Sequence, residues 1–149
     1  MKIRAFLLAC LVATPASAAV TVLTVEKTTP IAGGYELLEG HFTGALDPGD
    51  KHNGLVNDIG VAPRNAAGKV EYSATFAIAR PTGALSGVLV YDVPNRGKGA
   101  ATAIGDGHVD VVSGWQGDLE EGPGVQLIHV PAAPVTAPAM VRFINVPAG

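Results

Sequence analysis

Cysteine is all but absent. Of 149 residues only Cys10 is one, and it lies in an amino-terminal segment that reads as an export signal. A product that has lost this segment excludes both disulfides and thiol catalysis. Positive charge is also in short supply: ten Lys and Arg face thirteen Asp and Glu, and losing Lys2 and Arg4 with the signal moves the formal charge from −3 to −5. The remaining basic residues are scattered along the chain, and an acidic surface without a basic stripe repels phosphate backbones, so nucleic acid is not an expected partner. Beyond the signal no apolar run approaches the roughly 20 residues needed to span a bilayer as a helix, so no membrane span is expected after signal cleavage. Helical periodicity is weak throughout, and no cofactor motif is present.

What is there begins with that signal. Lys2 and Arg4 form a cationic head, residues 5–13 are apolar, and Ala16-Ser17-Ala18 supplies the small residues that a signal peptidase requires. Cleavage is expected after Ala18, giving an exported product, periplasmic or secreted. A lipoprotein reading on Leu7-Leu8-Ala9-Cys10 leaves an apolar core shorter than the ~7–15 residues normally used. What remains is long enough for one compact domain that buries roughly two-thirds of its unfolded surface.

Glycine and proline are abundant, 19 and 11 residues, and the longest post-signal stretch free of both, 70–80, alternates in steps of two. Val70, Tyr72, Ala74, Phe76 and Ile78 share one side and Glu71, Ser73 and Thr75 the other, which predicts a strand with one buried face. Residues 20–26 and 35–43 read as strands too, with Leu38, Gly40 and Phe42 on one face. Residues 87–93 differ, because Val88, Leu89, Val90 and Tyr91 are apolar on both faces. That pattern predicts a central strand covered on both sides. Further strands are expected at 109–112, 125–130 and 140–146. Asp47-Pro48-Gly49-Asp50 and Asn53-Gly54 are turn signals. Residues 98–104 are the best site for a short helix, and 132–138 reads as an extended Pro/Ala spacer.

Complete catalytic sets are missing. There is no G-x-S-x-G turn to present a nucleophile and no Ser-x-x-Lys pair. Asp106, His108 and Asp110 have a spacing open to metal ligation if residues 105–112 are extended, but a turn followed by a surface histidine explains them as well, and no metal site is assigned. Asp118, Glu120 and Glu121 have the chemistry of a glycosidase pair, for which sequence supplies no separation; a solvated acidic loop is the plainer reading. Two segments place glycine and polar residues at the end of a buried strand: Asp92 to Gly97, and Ser113 to Asp118. The crevice beyond the carboxyl ends of strands is where open α/β sheets bind ligands. The plainer alternative is that Pro94 and Gly97 shape a turn while Trp115 caps the core.

Five segments occur in order: Ala62-Pro63-Arg64-Asn65-Ala66, Gly68-Lys69-Val70-Glu71-Tyr72, Val90-Tyr91-Asp92-Val93-Pro94-Asn95-Arg96-Gly97, Gly105-Asp106-Gly107 and Ser113-Gly114-Trp115-Gln116-Gly117-Asp118. Together they resemble the N-terminal part of a family of large exported bacterial α/β-hydrolase-domain proteins. The resemblance implies a β-rich α/β fold: a β-rich extension over 19–80, outside the core sheet, and the first strands of an incomplete hydrolase-like sheet over 81–149. It implies that Asn95, Arg96 and Gly97 form the loop that carries an oxyanion-hole amide, with Trp115, Gln116 and Asp118 in a ligand loop beside it. In the full-length family the partner would be a small ester-like substrate. The nucleophile, acid and histidine of that family fall beyond Gly149, and the stretch between Asp106 and Val111 is shorter here. The chain is therefore expected to be a truncated, non-catalytic portion. The competing expectation is a free-standing periplasmic β-rich binding module that uses the same two loops. Neither fixes an oligomeric state.

Overall fold

The computed structural model describes residues 20–136 and Pro138. The expected signal peptide, its cleavage site and the expected strand at 140–146 lie outside the described residues. The chain is β-rich, with strands β1 (Val20–Ile31), β2 (Tyr35–Leu46), β3 (Val70–Pro81), β4 (Leu89–Asp92), β5 (Val109–Ser113) and β6 (Ile128–His129) and a 3₁₀ turn at Lys51–Asn53 among the described residues. These form one open mixed sheet in the order β1-β2-β3-β5-β4, with β6 also pairing with β3. Among the described residues no helix is long and apolar enough to cross a membrane.

β1 and β2 make a long hairpin whose turn uses Gly33 and Gly34 at φ 77° and 72°. Pro30 is tolerated because β1 is an edge strand. A register shift between Val25 and Lys27 bulges β1 over Gly40, where a side chain would run into the Thr24 carbonyl. β2 and β3 then pair antiparallel along their whole length. The other edge of β3 is shared, with β5 opposite Phe76 to Ala79 and β6 opposite Ser73 and Ala74. β3 thus pairs directly with β5 across the boundary expected near residue 80, within one sheet.

β3 is the strand covered on both sides. Val70, Ala74 and Phe76 are buried on one face, as the alternation predicts, while Ala77 and Ala79 are buried on the other. The second face carries the core cluster of Tyr35, Ala77, Ala79, Ala101 and Val112. Small side chains at 77 and 79 leave room for the crossover that joins β4 to β5. That crossover contains no helix, and the two turns expected at 98–104 are irregular instead. Their place is taken by a polar anchor: Asp110, 2% exposed, accepts a hydrogen bond from the Thr102 amide at 2.8 Å. Tyr35 ties down the far end by donating its hydroxyl to the Gly105 carbonyl at 2.8 Å.

The expectation of a central strand at 87–93 is corrected. β4 is an edge strand, parallel to β5 through Leu89↔Val109 to Asp92↔Val112, and it is exposed on both faces. Leu89 is 61% exposed, Tyr91 49% and Val93 63%. Each such side chain leaves unrealised much of the ~1.5–3 kcal/mol that full burial contributes. The Val88 carbonyl accepts from the Val109 amide at 3.0 Å, so by the alternation of parallel pairing Leu89 and Tyr91 turn their backbone groups to the open edge. The two-sided apolar pattern marks a strand but not its cover. Nothing among the described residues covers it.

Candidate functional site

The two expected loops meet where β4 and β5 end. After β4 the chain makes a tight reversal in which the Lys98 amide donates to the Asn95 carbonyl at 3.1 Å. Arg96 and Gly97 occupy its centre at φ 48° and 70°, so both central residues have the positive φ of a type I′ turn. Gly97 is required there twice over. Besides its φ, a Cβ would lie 2.6 Å from Leu119 Cδ1, 2.8 Å from the Gln126 carbonyl oxygen and 2.9 Å from Val125 Cγ1. The Gln126 amide in turn donates to the Gly97 carbonyl at 2.8 Å. Among the described residues the amides of Arg96 and Gly97 donate no hydrogen bond; Arg96 is exposed and Gly97 is buried.

The second loop is stapled to the first. The Trp115 indole N–H donates to the Pro94 carbonyl at 2.8 Å, while its ring stays 50% exposed. Trp115 does not cap the core. Gly114 lies directly on the Leu127 backbone, and a Cβ at Gly117 would stand 2.8 Å from the Ile128 carbonyl oxygen. Gln116 accepts from the Ile128 amide through its own carbonyl at 3.1 Å, and its side-chain Oε1 is buried without a partner, as is that of Gln126. Around this junction opens a polar cleft of about 720 Å³ lined by Asn95, Arg96, Lys98, Asp118, Glu120 and Glu121. Of the six expected site residues, Asn95, Arg96 and Asp118 face it together. Gly97, Trp115 and Gln116 shape its supports.

The remaining sequence candidates scatter. Asp106 sits in a turn at φ 53°, His108 bonds elsewhere, and Asp110 is buried beneath the crossover. Among the described residues no three His, Cys, Asp or Glu side chains converge on a metal position. The other three histidines lie beside acids: His41 contacts Glu26 at 2.7 Å, His52 contacts Asp50 at 2.8 Å, and His129 lies 3.8 Å from Glu121. Asp50 also accepts the His52 amide, and this backbone hydrogen bond followed by the ring contact holds its carboxyl below the usual range.

One pairing was not legible in the sequence. Ser86 Oγ lies 2.8 Å from His108 Nδ1, at the amino ends of β4 and β5, because parallel pairing brings the two strand starts side by side. Spacing cannot announce such a neighbour. Chemically the pair is half a hydrolytic set. Ser86 Oγ already accepts the Val88 amide at 3.1 Å, no carboxylate forms a salt bridge with His108 among the described residues, and the amides of Arg96 and Gly97 lie beyond the opposite end of β4. A working serine needs a base oriented by a third group and donors for the oxyanion at the same point. Ser113 is no better placed, being 9% exposed and 2.7 Å from the Tyr91 hydroxyl. Comparison of the chain with protein-family models, with curated proteins and with solved structures finds no match.

Proposed function

We propose that the chain is the N-terminal, oxyanion-side portion of an exported α/β-hydrolase-like, esterase-type protein, and that it has no turnover on its own. The observation that carries this reading is β4: an apolar strand that, among the described residues, has one parallel neighbour and is bare on both faces and along its outer edge. Parallel strands are stable when both faces are covered, so β4 is suited to receive further parallel strands and their covering layers. The type I′ turn that follows it supports the same reading, since the amide of the exposed Arg96 donates no hydrogen bond and, by the resemblance, this is the loop in which a hydrolase of this kind carries an oxyanion-hole donor. Export belongs to the proposal through the Lys2 to Ala18 signal.

The test is hydrolysis of a short-chain acyl ester by the purified chain. The expected rate equals that of Ser113→Ala and Ser86→Ala variants. Turnover that disappears in Ser86→Ala would make Ser86 and His108 a working dyad and overturn the reading.

A second reading, a free-standing periplasmic binding module, is favoured by the cleft itself, where Arg96 and Lys98 face Asp118, Glu120 and Glu121 across a space large enough for a small polar ligand. A module that stands alone unfolds in one sharp thermal transition. Broad, non-cooperative melting removes this reading.

A further inference from the structure

Away from the loops just described, two cavities lie back to back across the sheet. Alternation sends Leu46, Val70 and Tyr72 to one face, into an apolar pocket of about 580 Å³ between the end of β2 and the start of β3, and Glu71 and Ser73 to the other. On that second face is a polar cavity of about 720 Å³, within the roughly 300–1,000 Å³ typical of sites for small molecules.

The floor of the polar cavity is set by strand register. Thr43 is paired directly with Ser73, and Ala45 with Glu71, across β2 and β3. Ser73 is in turn paired with His129 across β3 and β6. Directly opposed residues share a face with Cβ atoms about 5 Å apart, so Thr43, Ser73 and His129 stand in one row. Thr21 extends the row onto β1, where a register shift between Val20 and Val22 brings its hydroxyl to 3.4 Å from Thr43 Oγ1. Glu71 begins the neighbouring row, two residues before Ser73.

The end wall is fixed. Asn65 Oδ1 accepts from the amides of Ala67 and Lys69, both at 3.0 Å, and the Asn65 amide donates to the Lys69 carbonyl at 2.8 Å. With its oxygen so engaged, the Asn65 side chain turns Nδ2 to Glu71 Oε1 at 2.8 Å, which steadies the carboxylate at the floor. Val130 and Pro131 make a side wall. A cavity built this way spares a ligand the cost of ordering it.

The polar groups of this floor are not used up within the fold. One row further along β3, His41 contacts Glu26 at 2.7 Å and Thr75 Oγ1 accepts the Leu127 amide at 2.9 Å. In the Thr43 row the hydroxyl of half-buried Ser73 makes no hydrogen bond among the described residues. Glu71 and Lys69 both belong to the lining, and neither is in a salt bridge among the described residues. One acid and one base offset each other, so the lining does not favour a ligand of either net charge. Hydroxyls that both donate and accept match a ligand with the same property, and a held carboxylate takes hydroxyl donors strongly. Ala45, Ala67, Val130 and Pro131 supply apolar surface between these groups.

We propose that this cavity binds a neutral saccharide, its hydroxyls bonded to Thr43, Ser73, Glu71 and His129 and its C–H face against Val130 and Pro131. The inference rests on neither reading of the β4 and β5 loops, since β1, β2, β3 and β6 build the site.

The test is a ¹⁵N-resolved NMR titration of the full chain with glucose, galactose and mannose, and separately with alanine as a zwitterion of small size. Saturable shifts are expected for at least one sugar at the amides of Thr43, Glu71, Ser73 and His129, and none for alanine. Ser73→Ala and Glu71→Gln should each weaken that sugar about fivefold, the worth of one hydrogen bond in a half-open site. Both changes suit the fold: alanine already occupies β3 at 77 and 79, and glutamine keeps an oxygen for Asn65 Nδ2. The proposal is overturned if no sugar gives saturable shifts, if the shifts fall instead at the cleft beyond β4 and β5, if alanine binds in place of the sugars, or if both variants keep the wild-type affinity.

Discussion

Replacing Gly97 by alanine should loosen the junction between the two loops far more than the same change at Gly124, although both glycines hold nearly the same backbone angle, φ 70° and 71°. At either position alanine pays about 1–2 kcal/mol for the left-handed conformation. At Gly124 the added methyl meets nothing within 4 Å, whereas at Gly97 it stands 2.8 Å from the Gln126 carbonyl oxygen and closer still to Leu119. The carbonyl belongs to the backbone, so the surroundings must shift. Overpacking of this kind costs about 1–3 kcal/mol. The expected difference between the variants is therefore about 1–3 kcal/mol, or on the order of 1 M urea at the slope usual for a small protein. Trp115 is the chain's one tryptophan and is bonded into this junction, so its fluorescence during urea titration reports on the right place. Equal shifts of the midpoint in the two variants would refute the packing assigned to Gly97.

Trp115→Phe removes the indole donor to the Pro94 carbonyl, and because the site is half open water replaces the bond, so a loss of about 1 kcal/mol is expected by circular dichroism in urea; no change would mean that the two loops are held together by other contacts. Asp50 should titrate below an ordinary aspartate when followed by NMR. Because its folded pKa is depressed, its contribution to the 3₁₀ turn is present above the ordinary aspartate value and is lost as pH falls through the folded one. A normal titration midpoint would remove the hydrogen bonds assigned to it.

Much of the sheet was legible because alternation is a local signal. The pattern from Val70 to Ile78 marks β3, and glycine and proline mark the ends of most strands. What local pattern cannot supply is the order of strands. Residues 87–93 carry the composition of a central strand, and only pairing reveals β4 at the edge while the alanines of β3 receive cover on both faces. The helix expected at 98–104 failed for a related reason: Asp110 takes the Thr102 amide, and the core above Ala77 and Ala79 accepts an irregular backbone in its place. Glycine beside polar residues singles out the Asn95 to Gly97 turn and the Trp115 loop in the sequence, and the structure brings the two together. The neighbour of Ser86 is not legible, since its partner His108 comes from the start of a different strand. The apolar pocket between the end of β2 and the start of β3 is not legible either, because its lining joins Leu46, Ile59, Val70, Ile128 and Val130 from separate stretches of the chain.

The proposal at stake is that β4, uncovered among the described residues, is an edge that takes up a further chain. Sedimentation velocity over a range of concentrations tests it most directly, with wild type run beside a Tyr91→Lys variant that places a charge on the open strand. The account predicts concentration-dependent association of the wild type and a monomer for the variant. A wild-type chain that sediments as a clean monomer at every concentration would contradict it.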